Sequence, residues 1–140
     1  MKNIPNRPLQ VFVLEDDLEL STVIEKVLRS IHPDIHLDWV TSAESAINQL
    51  HSIAHTAAIL PYDLIVADIF LDGKRTGLDF WQVCQEYFPS TPILITSALS
   101  LDRFFAAVGK HSISPPYLQK PFSLLECKNT LESMISFCKI

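Results

Sequence analysis

Five polar residues stand at the ends of apolar runs in this 140-residue chain. Glu15 and Asp16 follow "LQVFVL", Asp68 ends "DLIVAD", Ser97 ends "PILITS", and Lys120 follows "YLQ". A carboxylate beside an apolar run is costly unless it is paired or bound to a cation. Three carboxylates brought together repel one another, and a hard divalent cation among oxygen ligands relieves that repulsion. Magnesium suits such a set, because it keeps several waters and takes one or two carboxylates plus phosphate oxygens. A carboxylate at an exposed strand end can also be a nucleophile that forms an acyl phosphate. The charge of an incoming phosphoryl group would then be offset by Mg²⁺ and the Lys120 ammonium. The Ser97 hydroxyl and a backbone N–H, with Ala98 next in the chain, would take the remaining oxygens.

Those residues meet only if the runs that carry them are strands of one sheet. Leu9 to Leu14 is apolar and rich in strand formers. Leu18 to Ile31 places Leu20, Val23, Ile24, Val27, Leu28 and Ile31 at the spacing of one helix face, and "HPD" ends it. Ile35 to Val40 alternates apolar and polar, as an edge strand does. Thr41 or Ser42 can cap the helix that follows, which buries Ala43, Ala46, Ile47, Leu50 and Ala54 and runs to about Ala58. Asp63 to Phe70 is uniformly apolar around Asp68, the pattern of a strand covered on both faces. The spacing then predicts a helix over Leu78 to Phe88 with Leu78, Trp81, Cys84 and Phe88 inward. A buried strand "PILITSA" comes next, followed by a short helix Leu101 to Val108 and a very short strand in "PPYLQKPF". The last helix, Leu124 to about Phe137, places Leu124, Cys127 or Lys128, Leu131, Ile135 and Cys138 at helical spacing. Strand and helix thus alternate five times. That order implies an α/β fold: a doubly wound, five-stranded parallel sheet with helices on both faces. In such sheets, ligands bind beyond the carboxyl ends of the strands, at a topological switch point. The five polar residues are expected there.

Composition narrows the function classes. The length fits one domain over residues 1–140, with 1–8 as a flexible leader. The net charge is −5 and no block of Lys or Arg occurs, which argues against direct binding of nucleic acid through its phosphates. "MKNIPNRP" lacks the apolar core of a signal peptide, and no apolar stretch approaches membrane-spanning length. Cys84, Cys127 and Cys138 are odd in number and far apart. They suggest neither a disulfide framework nor a zinc cluster, and they fit a reducing cytoplasm.

"VFVLEDD", "DLIVADIFLDG", "PILITSA" and "YLQKPF", in that order, closely resemble the receiver domain (CheY-like) of bacterial two-component response regulators, over Leu9 to about Phe137. The resemblance implies a (βα)5, flavodoxin-like fold and a switch that is phosphorylated in a Mg²⁺-dependent reaction. It implies that Asp68 is the phosphoacceptor. Glu15, Asp16, Asp68 and the backbone carbonyl of Phe70 would be the metal ligands, with Asp16 the direct carboxylate of the acidic pair. Ser97, Ala98 and Lys120 would hold the phosphoryl group, and Tyr117 would be a rotating switch residue. Pro121 would follow a cis peptide bond. The implied partners are a histidine kinase or a histidine phosphotransfer protein. Output, including homodimerisation, would pass through the fourth helix, fifth strand and fifth helix. Two departures stand out: Asp72 occupies a position where the family often has proline, and the stretch Leu50 to Pro61 is longer than usual.

Plainer readings compete for single residues. "EDD" reads equally as a helix cap, and Asp17 is assigned to that role. Asp79 is expected on an exposed helix surface. His51 and His55 have metal-ligand spacing, but "HSIAH" lacks the glutamate of H-E-x-x-H and reads as a solvated helix face. Phe104 and Phe105 are adjacent, so one helix cannot bury both equally; the other reads as a partner contact or, equally well, as a chance exposed aromatic. An alternative to the phosphorylated switch is a receiver-like interaction module that is not phosphorylated; the intact set Glu15, Asp16, Asp68, Ser97 and Lys120 favours phosphorylation. A true phosphatase with an aspartyl nucleophile commonly wants a second acid two residues on, where this chain has Phe70. Phe70 and Leu99, each two residues beyond a site residue, are bulky and apolar and should shield an acyl phosphate from in-line water. Slow self-dephosphorylation is expected, and Phe70→Asn should speed it, as read from the decay of phosphorylated protein by intact-mass spectrometry.

Overall fold

Short apolar runs, one of them alternating, separated by helical faces at period 3.6, produce the alternation β1 (Leu9–Leu14), α1 (Leu18–Ile31), β2 (Ile35–Val40), α2 (Ala43–Thr56), β3 (Leu64–Asp68), α3 (Gly77–Tyr87), β4 (Ile93–Ser97), α4 (Leu101–Val108), β5 (Tyr117–Gln119) and α5 (Leu124–Ser136). This computed structural model describes residues 7–56, 61–68, 77–108 and 115–136. The five strands form one parallel sheet in the order β2-β1-β3-β4-β5. β2 is an edge strand, as its alternation predicts. The strand order reverses between β1 and β3, the switch point of a doubly wound sheet.

Alternate residues of each central strand feed two cores. Leu9, Val11 and Val13 of β1, Leu64 and Val66 of β3, and Leu94 of β4 pack against Ile24, Val27 and Leu28 of α1 and Cys127, Leu131 and Ile135 of α5. Phe12 and Leu14, Ile65 and Ala67, and Ile93 and Ile95 face the other way. There they meet Ala46, Ile47 and Leu50 of α2, Phe80, Trp81 and Cys84 of α3, and Phe104 of α4. Phe12 is the centre of this second core, stacked on Phe80 at 5.6 Å and tilted against Tyr62 at 5.1 Å. Cys84 and Cys127 are buried free thiols, one in each core, pushed up by burial to about 12 and about 11. They fill space, and Cys138 lies outside the described residues.

Local chemistry sets the helix starts. Asp17 caps α1, its carboxylate accepting from the N–H groups of Glu19 (3.0 Å) and Leu20 (3.3 Å). Ser42 caps α2 by accepting from Ser45 N–H. Ser123 and Glu126 cap α5 reciprocally, each side chain accepting from the other's N–H. At the opposite end of the sheet, Arg7 grips Asp63 with both guanidinium nitrogens, at 2.8 and 2.5 Å. The chain is therefore anchored just ahead of β1, inside the stretch expected to be a flexible leader.

Two expectations about the helix faces change. Leu124 is not inward: it is 66% exposed, and Cys127, Leu131 and Ile135 carry the buried face of α5. Side chains of a first turn project back beyond the helix start, away from the sheet that the later turns cover. In α3, Phe80 is fully buried and joins Trp81, Cys84 and Phe88, while Leu78 is only partly buried. The buried stripe is wider than the spacing alone indicated. The described part of α2 ends at Thr56, and the expected extension to Ala58 lies outside the described residues. Phe12→Ala should lower the unfolding free energy by about 3–5 kcal/mol, measured by urea denaturation. Leu18→Ala, at a side chain 62% exposed, should change it by less than about 1 kcal/mol.

Candidate functional site

All five strands run parallel, so their carboxyl ends share one edge of the sheet. Glu15 follows β1 directly, Asp68 is the last residue of β3, Ser97 the last of β4, and Lys120 follows β5. The ladder places Asp68 level with Thr96, and Ser97 level with Gln119. Glu15 is buried (1% exposed), Asp68 is buried (5%), and Asp16 is exposed. Carboxylate oxygens from all three lie within 4.8 Å of one another, and among the described residues no other group of three metal-ligating side chains is this close. His51 and His55 are not part of any such group; the His51 ring lies edge-on to Tyr87.

Lys120 reaches into this cluster. Its Nζ donates to Glu15 Oε1 at 2.9 Å and to Asp68 Oδ2 at 3.0 Å. The other Glu15 oxygen accepts from Asp17 N–H at 3.0 Å. One ammonium thus bridges two buried carboxylates, while Asp16 extends into solvent beside them. Burial pushes the Glu15 carboxyl up to about 7, and the Asp68 charge adds to the effect. The bonds from Lys120 and Asp17 N–H oppose this without reversing it. For Lys120, burial acts to lower the pKa, but the bonds to Glu15 and Asp68 outweigh it and the net direction is up. The donor set is all oxygen, lies at an open sheet edge and carries excess negative charge, which fits a hard divalent cation such as Mg²⁺.

The flank formed by β4 and β5 is a connected unit. Ser97 is fully buried; its hydroxyl accepts from Leu99 N–H at 3.0 Å, and its carbonyl accepts from Lys120 N–H at 2.6 Å. Ala98, between them, is exposed. The Tyr117 hydroxyl donates to the Leu99 carbonyl in a short hydrogen bond, and it lies 3.5 Å from the Ser97 carbonyl. The Tyr117 ring stacks on buried Phe104 at 4.3 Å, and Phe105 beside it is 46% exposed. The Lys120–Pro121 peptide bond is cis. Phe70 and residues 71–76, which include Asp72, lie outside the described residues, as do residues 57–60; Gly77, at the end of "LDGKRTG", opens α3.

One contact at this edge was not anticipated from the sequence. The indole N–H of Trp39, in β2, donates to the backbone carbonyl of Glu15 at 2.6 Å. The alternation of β2 marks Trp39 only as an apolar residue of an edge strand. The available signal was its place near the carboxyl end of a strand adjacent to the one that delivers the acidic pair.

Neither a protein-family model nor a curated protein matches the sequence. Solved structures do match. A response regulator receiver protein from Sinorhizobium medicae is 22% identical, with a TM-score of 0.73 over 95% of this chain and 98% of that one. The phosphorylated cyanobacterial phytochrome response regulator RcpA is 18% identical, with a TM-score of 0.72 over 94% of each chain. The receiver domain of a sensor histidine kinase from Pseudomonas aeruginosa is 25% identical, with a TM-score of 0.66 over 92% of this chain and 98% of that one. That structure has a magnesium ion coordinated in its active site cleft. By its parallel five-stranded sheet, its two-sided helical cover and its likeness to these structures, the chain has the receiver-domain fold (CheY-like) of the response regulators of two-component signalling.

Proposed function

We propose that residues 1–140 form a single phosphoacceptor receiver domain that is phosphorylated on Asp68 in a Mg²⁺-dependent reaction. The observation that carries this reading is the Lys120 ammonium bonded to both Glu15 and Asp68, within a cluster of three carboxylates at the sheet edge. Glu15, Asp16, Asp68 and the carbonyl of Phe70 would hold the metal. Magnesium, when bound, supplies positive charge against the phosphoryl oxygens. The rest of the chemistry belongs to the chain. An Asp68 carboxylate oxygen attacks the phosphorus of a phosphohistidine. The P–N bond breaks, and its electron pair stays on the donor's imidazole nitrogen. Lys120 exchanges its carboxylate partners for a phosphoryl oxygen, and the Ala98 N–H and Ser97 hydroxyl take the others.

The Ser97 hydroxyl is bonded to Leu99 N–H at rest, and Tyr117 is bonded to the carbonyl of the same residue. Turning Ser97 toward a phosphoryl group frees one side of Leu99 and biases the loop that Tyr117 holds. This is a route by which occupancy at Asp68 reaches the surface of α4, β5 and α5, where Phe105 is exposed. In this reading the protein is a switch and not a turnover enzyme. Its phosphodonor is a histidine kinase or a histidine phosphotransfer protein, its place is the cytoplasm, and its output passes through that surface, including to a second copy of itself. Among the described residues no helix is long and apolar enough to cross a membrane.

Incubation with acetyl phosphate and Mg²⁺ should add one phosphate-sized mass, detected by intact-mass spectrometry. The gain should vanish in Asp68→Asn and when Mg²⁺ is chelated. No gain in wild-type protein, under conditions that label a control receiver, would favour the unphosphorylated interaction module.

The resting site also predicts a pH dependence. The Glu15 pKa stands above its ordinary 4.5, so ionising it costs more in the fold than in the unfolded chain. Its contribution favours the fold below pH 4.5 and is lost as pH rises through about 7. Lys120, whose pKa is raised above 10.5, keeps its contribution throughout that window. Metal-free wild-type protein should therefore lose stability between about pH 5 and about pH 8, and Glu15→Gln should lose less, by on the order of 2 kcal/mol. Urea unfolding at the two pH values measures both.

A further inference from the structure

The backbone of Glu15 is held on both sides by β2. Its N–H donates to the Val40 carbonyl at 3.0 Å, and its carbonyl accepts from the Trp39 indole at 2.6 Å. The first bond continues the β1–β2 ladder, in which Val13 pairs with Trp39 and Leu14 with Val40. The second is made by a side chain, one residue past the end of β1. Glu15 and Asp16 share the peptide unit whose carbonyl the indole holds. That unit is planar, so fixing its oxygen fixes the rotation of the whole plane and hence the direction in which Asp16 leaves it. Asp16 is the exposed member of the acidic trio. The buried members, by contrast, have side-chain bonds from Lys120.

We infer that Trp39 is a positioning residue for the metal site: its indole N–H sets the Glu15–Asp16 peptide so that Asp16 reaches a cation held with Glu15 and Asp68. This rests on the metal-binding reading given above. A Mg²⁺ site demands near-octahedral geometry, and groups that orient ligands from behind commonly change metal affinity tenfold or more when removed. The bond to Trp39 is independent of the Glu15 carboxylate, so it persists whichever partners that carboxylate has.

The test is Mg²⁺ titration by isothermal calorimetry on the full chain, with wild type, Trp39→Phe, and protein in which the Trp39 indole is replaced by benzothiophene. The benzothiophene has the same shape, with sulfur where the N–H was. Both altered proteins should bind Mg²⁺ about tenfold more weakly than wild type. In wild type, the Trp39 indole N–H resonance, identified by its loss in Trp39→Phe, should shift as Mg²⁺ is added. If the benzothiophene protein binds as wild type does, the hydrogen bond has no positioning role and the inference is overturned, even where Trp39→Phe is weakened through lost packing. If wild type itself binds no Mg²⁺, the metal-binding reading fails and takes this inference with it.

Discussion

A single ammonium shared between two buried carboxylates is the interaction on which this site depends. Glu15 and Asp68 reach the sheet edge from β1 and β3, and neither could remain there at so little exposure without a counter-charge. Lys120 supplies it from the far side, beyond β4, by spanning the carboxyl ends of the central strands. Each end of that bridge is fixed by sheet register and not by local sequence. The order β2-β1-β3-β4-β5 puts β1 beside β3 and β5 beside β4, so the charged residues meet because of topology.

That dependence explains what was legible in the sequence. The five-fold alternation of strand and helix, the parallel sheet and the residues at the strand ends followed from period and from where each apolar run stopped. Asp17, and Ser42 as one of two candidates, were readable as caps because capping needs only a short side-chain oxygen before a helical face. Helix faces were less legible. Leu124 has the right spacing to be buried with Cys127 and Leu131, yet its place in the first turn leaves it outside the contact with the sheet. Phe80 was overlooked because a stripe of four positions can be rotated by one residue without spoiling its period. Trp39 was invisible for another reason: a bond from an indole to a backbone carbonyl on a neighbouring strand has no sequence signature apart from the pairing itself.

The two cores divide the labour around this edge. The face of α1 and α5 is mainly aliphatic, with Phe122 at its margin, and is closed by Cys127, Leu131 and Ile135. The opposite face is aromatic, and its stack of Phe104 on Tyr117 ends in a hydroxyl bonded beside Ser97. A rearrangement of the proposed kind, starting at Ser97, would meet this aromatic layer first, because Tyr117 is bonded beside Ser97 and stacked on Phe104.

Three carboxylates face one ammonium: burial, with a smaller effect of the Asp68 charge, pushes Glu15 up to about 7, and Asp16 stands in solvent. A hydrophobic residue in place of Glu15 would remove a buried charge and ease the fold, but it would also leave Lys120 with Asp68 alone and settle the site as a closed ion pair. Retaining Glu15 leaves the cluster over-supplied with negative charge while Lys120 is shared between two carboxylates, at 2.9 and 3.0 Å. Under the proposed function, an incoming cation and an incoming phosphoryl group would both gain from that arrangement, the first by joining the carboxylates and the second by taking the ammonium. Burial thus raises the cost of the metal-free site, which binding of the proposed kind would lower.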